Sequence, residues 1–259
     1  MSDLANTRIV VTGGSEGLGL AMVEALTACG AKVTAIARDA KKLVSARRAC
    51  ADTIAGDATD AALIDRVVAD VDPNVLILNA GARLPMEPID RQTWEGFSST
   101  WDTDVKGTLA GIQAALRTPM KSGGRILIMS SGAAMVISHP HIEPDSLRLS
   151  GGYIGAKRMQ WFMAYQANAV SRERGLGLHF QVLVPGQLMA GTALGRAVAS
   201  AYAEIEGVTV DEHILRRYGA HLHPARVGEQ VARLLADPAY ANGVAYGFRA
   251  GSHIMPLDQ

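Results

Sequence analysis

Thr12-Gly13-Gly14-Ser15-Glu16-Gly17-Leu18-Gly19 follows the short β-branched run Arg8-Ile9-Val10-Val11 and leads into an apolar stretch, 18–29, that stops at Gly30. A buried strand, a glycine-rich turn and the first turn of a helix together make a phosphate cradle. Glycine lets the backbone come close, and the unpaired N–H groups of the helix N-terminus face the anion. Gly13, Ser15, Glu16, Gly17, Leu18 and Gly19 are therefore candidates for holding the pyrophosphate of a dinucleotide.

Outward from this turn the same alternation continues to the end of the chain. Residues 32–37 read as a second strand, 39–49 as its helix, 53–55 as a weak third strand. Residues 60–71 form a helix with Leu63, Ile64, Val67, Val68 and Val71 on one stripe. Strands at 75–79, 125–130, 179–184 and 244–248 alternate with helices at 100–120, 153–174, 211–218 and 226–236. The order predicts an α/β, doubly wound Rossmann-type fold of about seven parallel strands with helices on both faces. No linker or repeat divides it, so 1–259 is expected to be one domain. Two segments break the rhythm, 132–150 and 190–219, and both leave the carboxyl ends of strands, where open sheets bind ligands. Each is expected to be a substrate lid.

Composition narrows the function classes. Apolar residues make up 48% of the 259, enough for a substantial core, and the net charge is zero, which lacks the basic footprint of a nucleic-acid binder. No run approaches the roughly 18 apolar residues that span a bilayer. Two cysteines, Cys29 and Cys50, do not make a disulfide framework and are read as buried small residues of a reducing compartment. A cytoplasmic protein is expected, with no nucleic-acid or membrane partner.

The second constellation is Gly151-Gly152-Tyr153-Ile154-Gly155-Ala156-Lys157. A four-residue spacing on a helix stacks Tyr153 and Lys157 on one face. A free phenol titrates near 10, too high for a base at neutral pH. An ammonium roughly 5 Å away, at an effective dielectric of about 20, stabilises a phenolate by around 3 kcal/mol, which suits acid–base catalysis. Downstream of a dinucleotide cradle, that pair points to proton transfer coupled to hydride transfer. At the end of the second strand, Ala37 stands where NAD-specific sites carry a carboxylate, and Arg38 follows it, which favours NADP over NAD as cofactor.

With these residues in view, the chain resembles the short-chain dehydrogenase/reductase family over nearly its whole length. Thr12-Gly13-x-x-x-Gly17-x-Gly19 has the spacing of the family's short-subunit type. The resemblance implies that Asp57, with Ala58 beside it, meets the adenine ring, and that Asn79-Ala80-Gly81 is the motif ending the fourth strand. It further implies that Ser131, Tyr153 and Lys157 are catalytic, with Lys157 also holding the nicotinamide ribose. Pro185-Gly186 with Thr192 is similar to the nicotinamide-side loop. Asn79-Ala80-Gly81 is equally readable as a structural turn, and Asp57 as a solvated loop residue.

Two positions depart from the family pattern. Asp104, in Asp104-Val105-Lys106-Gly107, stands where the family usually has asparagine, whose backbone carbonyl holds a water linked to the lysine. A carboxylate near Lys157 would offset part of the positive field on Tyr153, and a more alkaline optimum for oxidation is expected. The gap from Ser131 to Tyr153 is also about nine residues longer than the family norm.

The resemblance implies an NADP(H)-dependent oxidoreductase for a ketone and secondary-alcohol pair, paired as a homodimer or homotetramer through the helices at 100–120 and 153–174. The alternatives are a 3-oxoacyl-thioester reductase and a non-catalytic NADP-binding regulator. His139-x-His141-x-Glu143 and His221-x-His223 are read as polar residues without a metal, since neither has a second ligand cluster. Trp94, Trp101 and Trp161 are read as core or interface anchors. The stripe Met159, Phe162, Met163, Gln166 and Val170 is expected to pack on the sheet or on a partner subunit.

Overall fold

Successive side chains of the strand β1 (Arg8–Thr12) face opposite ways, and both faces are covered. Ile9 and Val11 join one core with Met22 and Leu26, while Val10 joins a second core with Ile64, Val67 and Ile112. The structure, a computed structural model, describes residues 4–49, 51–138, 148–251 and 253–258. The expected lid residues His139, His141 and Glu143 lie outside that set, as does Cys50.

After β1 come α1 (Gly17–Ala28), β2 (Lys32–Ala37), α2 (Val44–Arg48), β3 (Asp52–Ala55), α3 (Ala61–Val71) and β4 (Val75–Leu78). The second half begins with α4 (Trp94–Thr100), a π-helical turn Trp101–Val105 and α5 (Lys106–Arg117). It continues through β5 (Arg125–Met129), α6 (Tyr153–Glu173), β6 (His179–Pro185), α7 (Ala193–Glu206), α8 (Val210–Tyr218), α9 (Pro224–Ala236), β7 (Ala245–Phe248) and β8 (Ile254–Pro256). The sheet runs β3-β2-β1-β4-β5-β6-β7-β8, and every pair is parallel except β7–β8. Strand order reverses between β1 and β4, which opens a crevice at their carboxyl ends.

Seven parallel strands match the expectation; the antiparallel β8 was not foreseen. It has three residues and ends in proline, tolerable only on an edge. The helix expected at 39–49 shrinks to Val44–Arg48. The expected single helix at 100–120 is interrupted by the π turn, and α4 before it was missed. A π turn inserts one residue without disturbing the apolar pattern on either side, so periodicity cannot reveal it.

Two burial readings are narrowed and one is corrected. On α6 the buried face carries Ala156, Gln160, Met163, Ala164, Ala167 and Ser171, whereas Phe162 and Gln166 are exposed. Small residues bring this helix close to the sheet, and of its aromatic side chains Phe162 and Tyr165 face outward. Trp161 is buried, but Trp94 is 73% exposed and Trp101 38%, so neither is a core residue. Cys29 is half-buried rather than buried, and its thiol is free. Among the described residues, no helix is long and apolar enough to cross a membrane.

Candidate active site

The glycine turn is shaped by hydrogen bonds to both neighbouring strands. Gly13 N–H and Gly14 N–H donate to the Ile36 carbonyl (2.8 and 3.2 Å). Asn79 donates from Nδ2 to the Thr12 and Gly13 carbonyls (3.2 and 3.3 Å), while Asn79 N–H and Ala80 N–H donate to Thr12 Oγ1. Asn79 thus locks the end of β4 to the turn. Gly13 has φ +69°, and a Cβ there would lie 2.9 Å from Ala80 Cα; a Cβ on Gly19 would fall inside the Gly13 carbonyl. Side chains at either position would collide with the frame that joins the turn to the end of β4.

The start of α1 is left open. Asp60, Thr192 and Thr209 cap α3, α7 and α8 with side-chain hydrogen bonds, but Glu16, at the head of α1, makes none. The first N–H groups of a 12-residue helix therefore face the crevice, as an anion requires. Glu16 instead turns to Lys42, Oε2 to Nζ 2.9 Å.

A cavity of about 740 Å³ runs from this turn across the carboxyl ends of the strands. Gly13, Ser15, Glu16, Gly17, Leu18 and Gly19 line one part of it. Arg38, Asp57 and Ala58 line the wall beside β2 and β3, and Asn79, Ala80 and Gly81 the middle. Asp104, Ser131, Tyr153 and Lys157 line the far end, with Pro185, Gly186 and Thr192 opposite. The structure thus brings all the sequence-nominated residues to one space. The backbone N–H of Thr59 on its Oδ1 (2.9 Å) holds the Asp57 carboxyl below the usual aspartate range; desolvation opposes this weakly, and Arg38 and Lys106 assist.

At the far end, α6 places Tyr153 and Lys157 one turn apart, with the Lys157 ammonium 5.7 Å from the centre of the tyrosine ring. Trp101 Nε1–H donates to the Gly152 carbonyl (3.2 Å), pinning the start of α6 to the π turn. Lys157 is 6% exposed; its Nζ donates to the Met129 carbonyl (2.9 Å) and pairs with Asp104 Oδ2 (3.0 Å). Burial presses the ammonium toward discharge, but the Asp104 carboxylate and the Tyr153 phenol outweigh it and hold Lys157 above the ordinary lysine range. Ser130 Oγ–H donates to the Lys157 carbonyl, so neighbouring Ser131 is set by the same strand end that fixes the helix.

Sequence reasoning missed the wall contributed by α7 and α8. Tyr202, His213, Arg217 and Tyr218 all line the cavity. His213 Nδ1 is 2.9 Å from Glu206 Oε2, and its ring stacks on Tyr202. Burial pushes the Tyr218 phenol up, with Arg217 partly opposing. Lys42 was also missed. These residues sit in irregular or lid segments with no motif to single them out; the 190–219 segment as a whole was the available signal.

Comparison with known proteins agrees with this geometry. The family model described as short chain dehydrogenase matches residues 7–141. L-xylulose reductase of Homo sapiens is 30% identical over 132 residues, covering 49% of this chain and 54% of that protein. Gluconate 5-dehydrogenase of Gluconobacter oxydans is 32% identical over 154 residues, 54% of this chain and 59% of that protein. The matches thus span little more than half of these curated relatives. A probable oxidoreductase of Streptomyces lividans is 28% identical across 93% of this chain and 84% of its own length. Among solved structures, a short-chain type dehydrogenase/reductase from Mycobacterium ulcerans superposes with TM-score 0.78 at 21% identity, covering 96% of this chain and 90% of that one. A blue fluorescent protein from a metagenomic library, in complex with NADPH, gives 0.72 at 20% identity, over 96% and 99%.

Proposed function

The chain belongs to the short chain dehydrogenase family, and on that premise we propose that it is an NADP(H)-dependent oxidoreductase acting on a ketone and secondary-alcohol pair. The observation that carries this reading is one cavity with an open helix N-terminus at one end and Tyr153, Lys157 and Ser131 at the other. The cradle fits a dinucleotide: Gly13, Ser15, Gly17 and Gly19 line the cavity beside the uncapped start of α1, and Gly13 and Gly19 let the turn pack tightly on the end of β4. A bound nicotinamide supplies or accepts the hydride.

The chain's own residues do the rest. The first N–H groups of α1 would hold the pyrophosphate, and Asp57 would meet the adenine. Ser131 donates a hydrogen bond to the substrate oxygen and orients it against Tyr153. Tyr153 gives that oxygen its proton in reduction and removes it in oxidation, a contribution of about 10²–10⁴ in rate. Lys157 holds positive charge beside the phenol and hydroxyl groups of the ribose. Pro185, Gly186 and Thr192 close over the nicotinamide side. The α7–α8 segment, 190–219, serves as the substrate lid of a single domain, while the lid expected at 132–150 falls at 139–147 outside the described residues.

NADP is favoured by Ala37 and Arg38 at the end of β2, and by Lys42 within the same cavity. Asp39, the nearest carboxylate in sequence, accepts the Lys41 N–H at 2.8 Å and is engaged in its own loop. The NADPH complex of the metagenomic structure is in keeping with this preference. Exposed Phe162 and Tyr165 on α6, with Leu109 on α5, support a homodimer or homotetramer built on those helices. A cytoplasmic location belongs to the same reading.

The test is oxidation of NADPH and NADH across a carbonyl panel, with Tyr153→Phe alongside. Turnover that prefers NADPH and vanishes in the variant is expected. Cofactor binding without turnover on any carbonyl would return the chain to the regulator reading.

A further inference from the structure

A basic residue in the last turn of a helix complements the macrodipole whichever way it points. The last turn of α8 has two, Arg216 and Arg217, and of these Arg217 lines the cavity. It follows His213 by one helical turn, so both side chains share the face that borders the cavity. That face is held from both ends. Glu206 Oε2 on α7 lies 2.9 Å from His213 Nδ1. Just beyond Arg217, the Tyr218 and Ala220 carbonyls accept from Gln187 Nε2 (3.3 Å each). Gln187 directly follows Pro185-Gly186, which fastens this end of α8 to the nicotinamide-side loop. The Tyr218 phenol, beside the Arg217 guanidinium, also meets the backbone of Leu188 on that loop. Arg217 thus stands at the substrate end of the cavity and not at the adenine end.

The other charges of the cavity have partners or lie elsewhere. Glu16 pairs with Lys42, while Arg38, Asp39 and Asp57 follow β2 and β3. At the far end the Asp104 carboxylate is matched by Lys157 at 3.0 Å. Arg217 has no carboxylate within ion-pair distance among the described residues, and neither has Arg83, a cavity residue on the loop after β4. A guanidinium keeps its charge throughout. The lid wall holds one more unmatched polar atom: His213, 2% exposed, has no hydrogen-bond partner at Nε2. Buried polar atoms are nearly always paired in native structures, so an unpaired one in a cavity wall points to a polar ligand.

We propose that the substrate of this site is an oxo acid, whose carboxylate is taken by Arg217 while its carbonyl faces Tyr153. The proposal rests on the oxidoreductase reading of the site and deepens it by naming the substrate class. The planar fork of a guanidinium matches both oxygens of a carboxylate, which fixes the orientation of the acid as well as binding it. Carried on a lid helix, such an anchor also ties the lid to the substrate.

The test is reduction by NADPH of a series of oxo acids, with the carboxylate at increasing distance from the carbonyl, each against its primary amide. Acid and amide share their shape and differ in charge. In the parent the best acid is expected to exceed its amide about tenfold in kcat/KM. Arg217→Met is expected to bring that ratio to about one, and Arg217→Lys to keep part of it, since the charge stays and the fork is lost. Arg216→Met removes the same charge from the same turn outside the cavity, and should keep the parent's ratio. If Arg217→Met fails to bind NADPH, the lysine variant and the parent's ratio decide. Amides used as well as acids by the parent, or a ratio that Arg217→Met leaves unmoved or Arg216→Met lowers equally, would overturn the proposal. Calorimetry of the same acids and amides on the NADPH complex of Tyr153→Phe needs no turnover. Acids that bind tighter than amides there, and lose the advantage with Arg217→Met, support the proposal even if the oxidoreductase reading fails; equal or absent binding overturns it.

Discussion

Lys42 Nζ lies 2.9 Å from Glu16 Oε2, so an ion pair joins the glycine turn to the loop after β2, at the Arg38 end of the cavity. Both side chains are largely exposed, and such pairs are worth only about 0–1 kcal/mol. The pair is therefore easily exchanged for a better anion, and a ribose 2′-phosphate is one. Glu16→Gln is expected to release Lys42 and tighten NADPH binding up to about fivefold. Arg38→Ala is expected to weaken NADPH about 10- to 100-fold, the worth of a hydrogen bond to a charged group, and to leave NADH unchanged. Fluorescence titration with both cofactors measures this; equal loss for both would remove Arg38 as the 2′-phosphate contact.

The strands and the cradle were legible in the sequence because each is local. The run 8–12 and the run 32–37 match β1 and β2 to the residue, since a β-branched stretch ending at glycine or a charged turn has few other conformations. Asp104 was visible as a departure, and the resemblance put it near Lys157; the direct 3.0 Å ion pair was not legible, because it depends on a π turn that periodicity does not register. Tyr202 and His213 were not legible for a related reason. They come together across two lid helices, and neither helix carries a pattern that fixes its rotation about the cavity. Phe162 stays open between sheet and partner subunit in the sequence, because an apolar stripe does not say which of the two receives it; the structure excludes the sheet.

Gly19 is the most demanding position of the cradle. A methyl group there would fall inside the Gly13 carbonyl and press on the Asn79 side chain, both part of the frame that joins β1 to β4. Backbone cannot yield as a flexible side chain would. Gly19→Ala is expected to cost about 1–3 kcal/mol of stability and to abolish cofactor binding. Thermal melts with and without NADPH test it: a stabilisation by cofactor as large as the parent's would show that the turn adapts.

His213 lines the cavity from the lid helix α8. Its ring is 2% exposed, held at Nδ1 by Glu206 and stacked 6.1 Å from Tyr202. Removing the ring loosens the lid wall but leaves the glycine turn untouched. The lost hydrogen bond and ring contact, about 1–1.5 kcal/mol, predict a roughly tenfold rise in KM for His213→Ala. NADPH affinity should stay at the parent's value. A cofactor affinity that falls with the substrate's would place His213 in the fold rather than in the lid.

The Lys157–Asp104 pair also predicts how stability responds to pH. A lysine in the unfolded chain titrates near 10.4. In the folded parent, Asp104 and Tyr153 hold Lys157 above its ordinary range despite burial. A raised value contributes stability that is complete below about pH 10.4 and is lost only as pH climbs through the folded value above it. In Asp104→Asn only the Tyr153 phenol still opposes burial, and the folded value is expected to fall beneath the unfolded one, which reverses the sign. Below that lowered value the variant buries a poorly compensated charge and is least stable. Between it and about pH 10.4 the unfolded chain binds the extra proton, so the variant gains stability as pH rises. Other titrating groups are common to both proteins and cancel in the difference. Denaturant midpoints of parent and variant, measured together from about pH 6 to 10, should therefore converge as pH increases. A gap that stays constant across that range would show that Asp104 supports the fold by its hydrogen bonds and not by holding the lysine's charge.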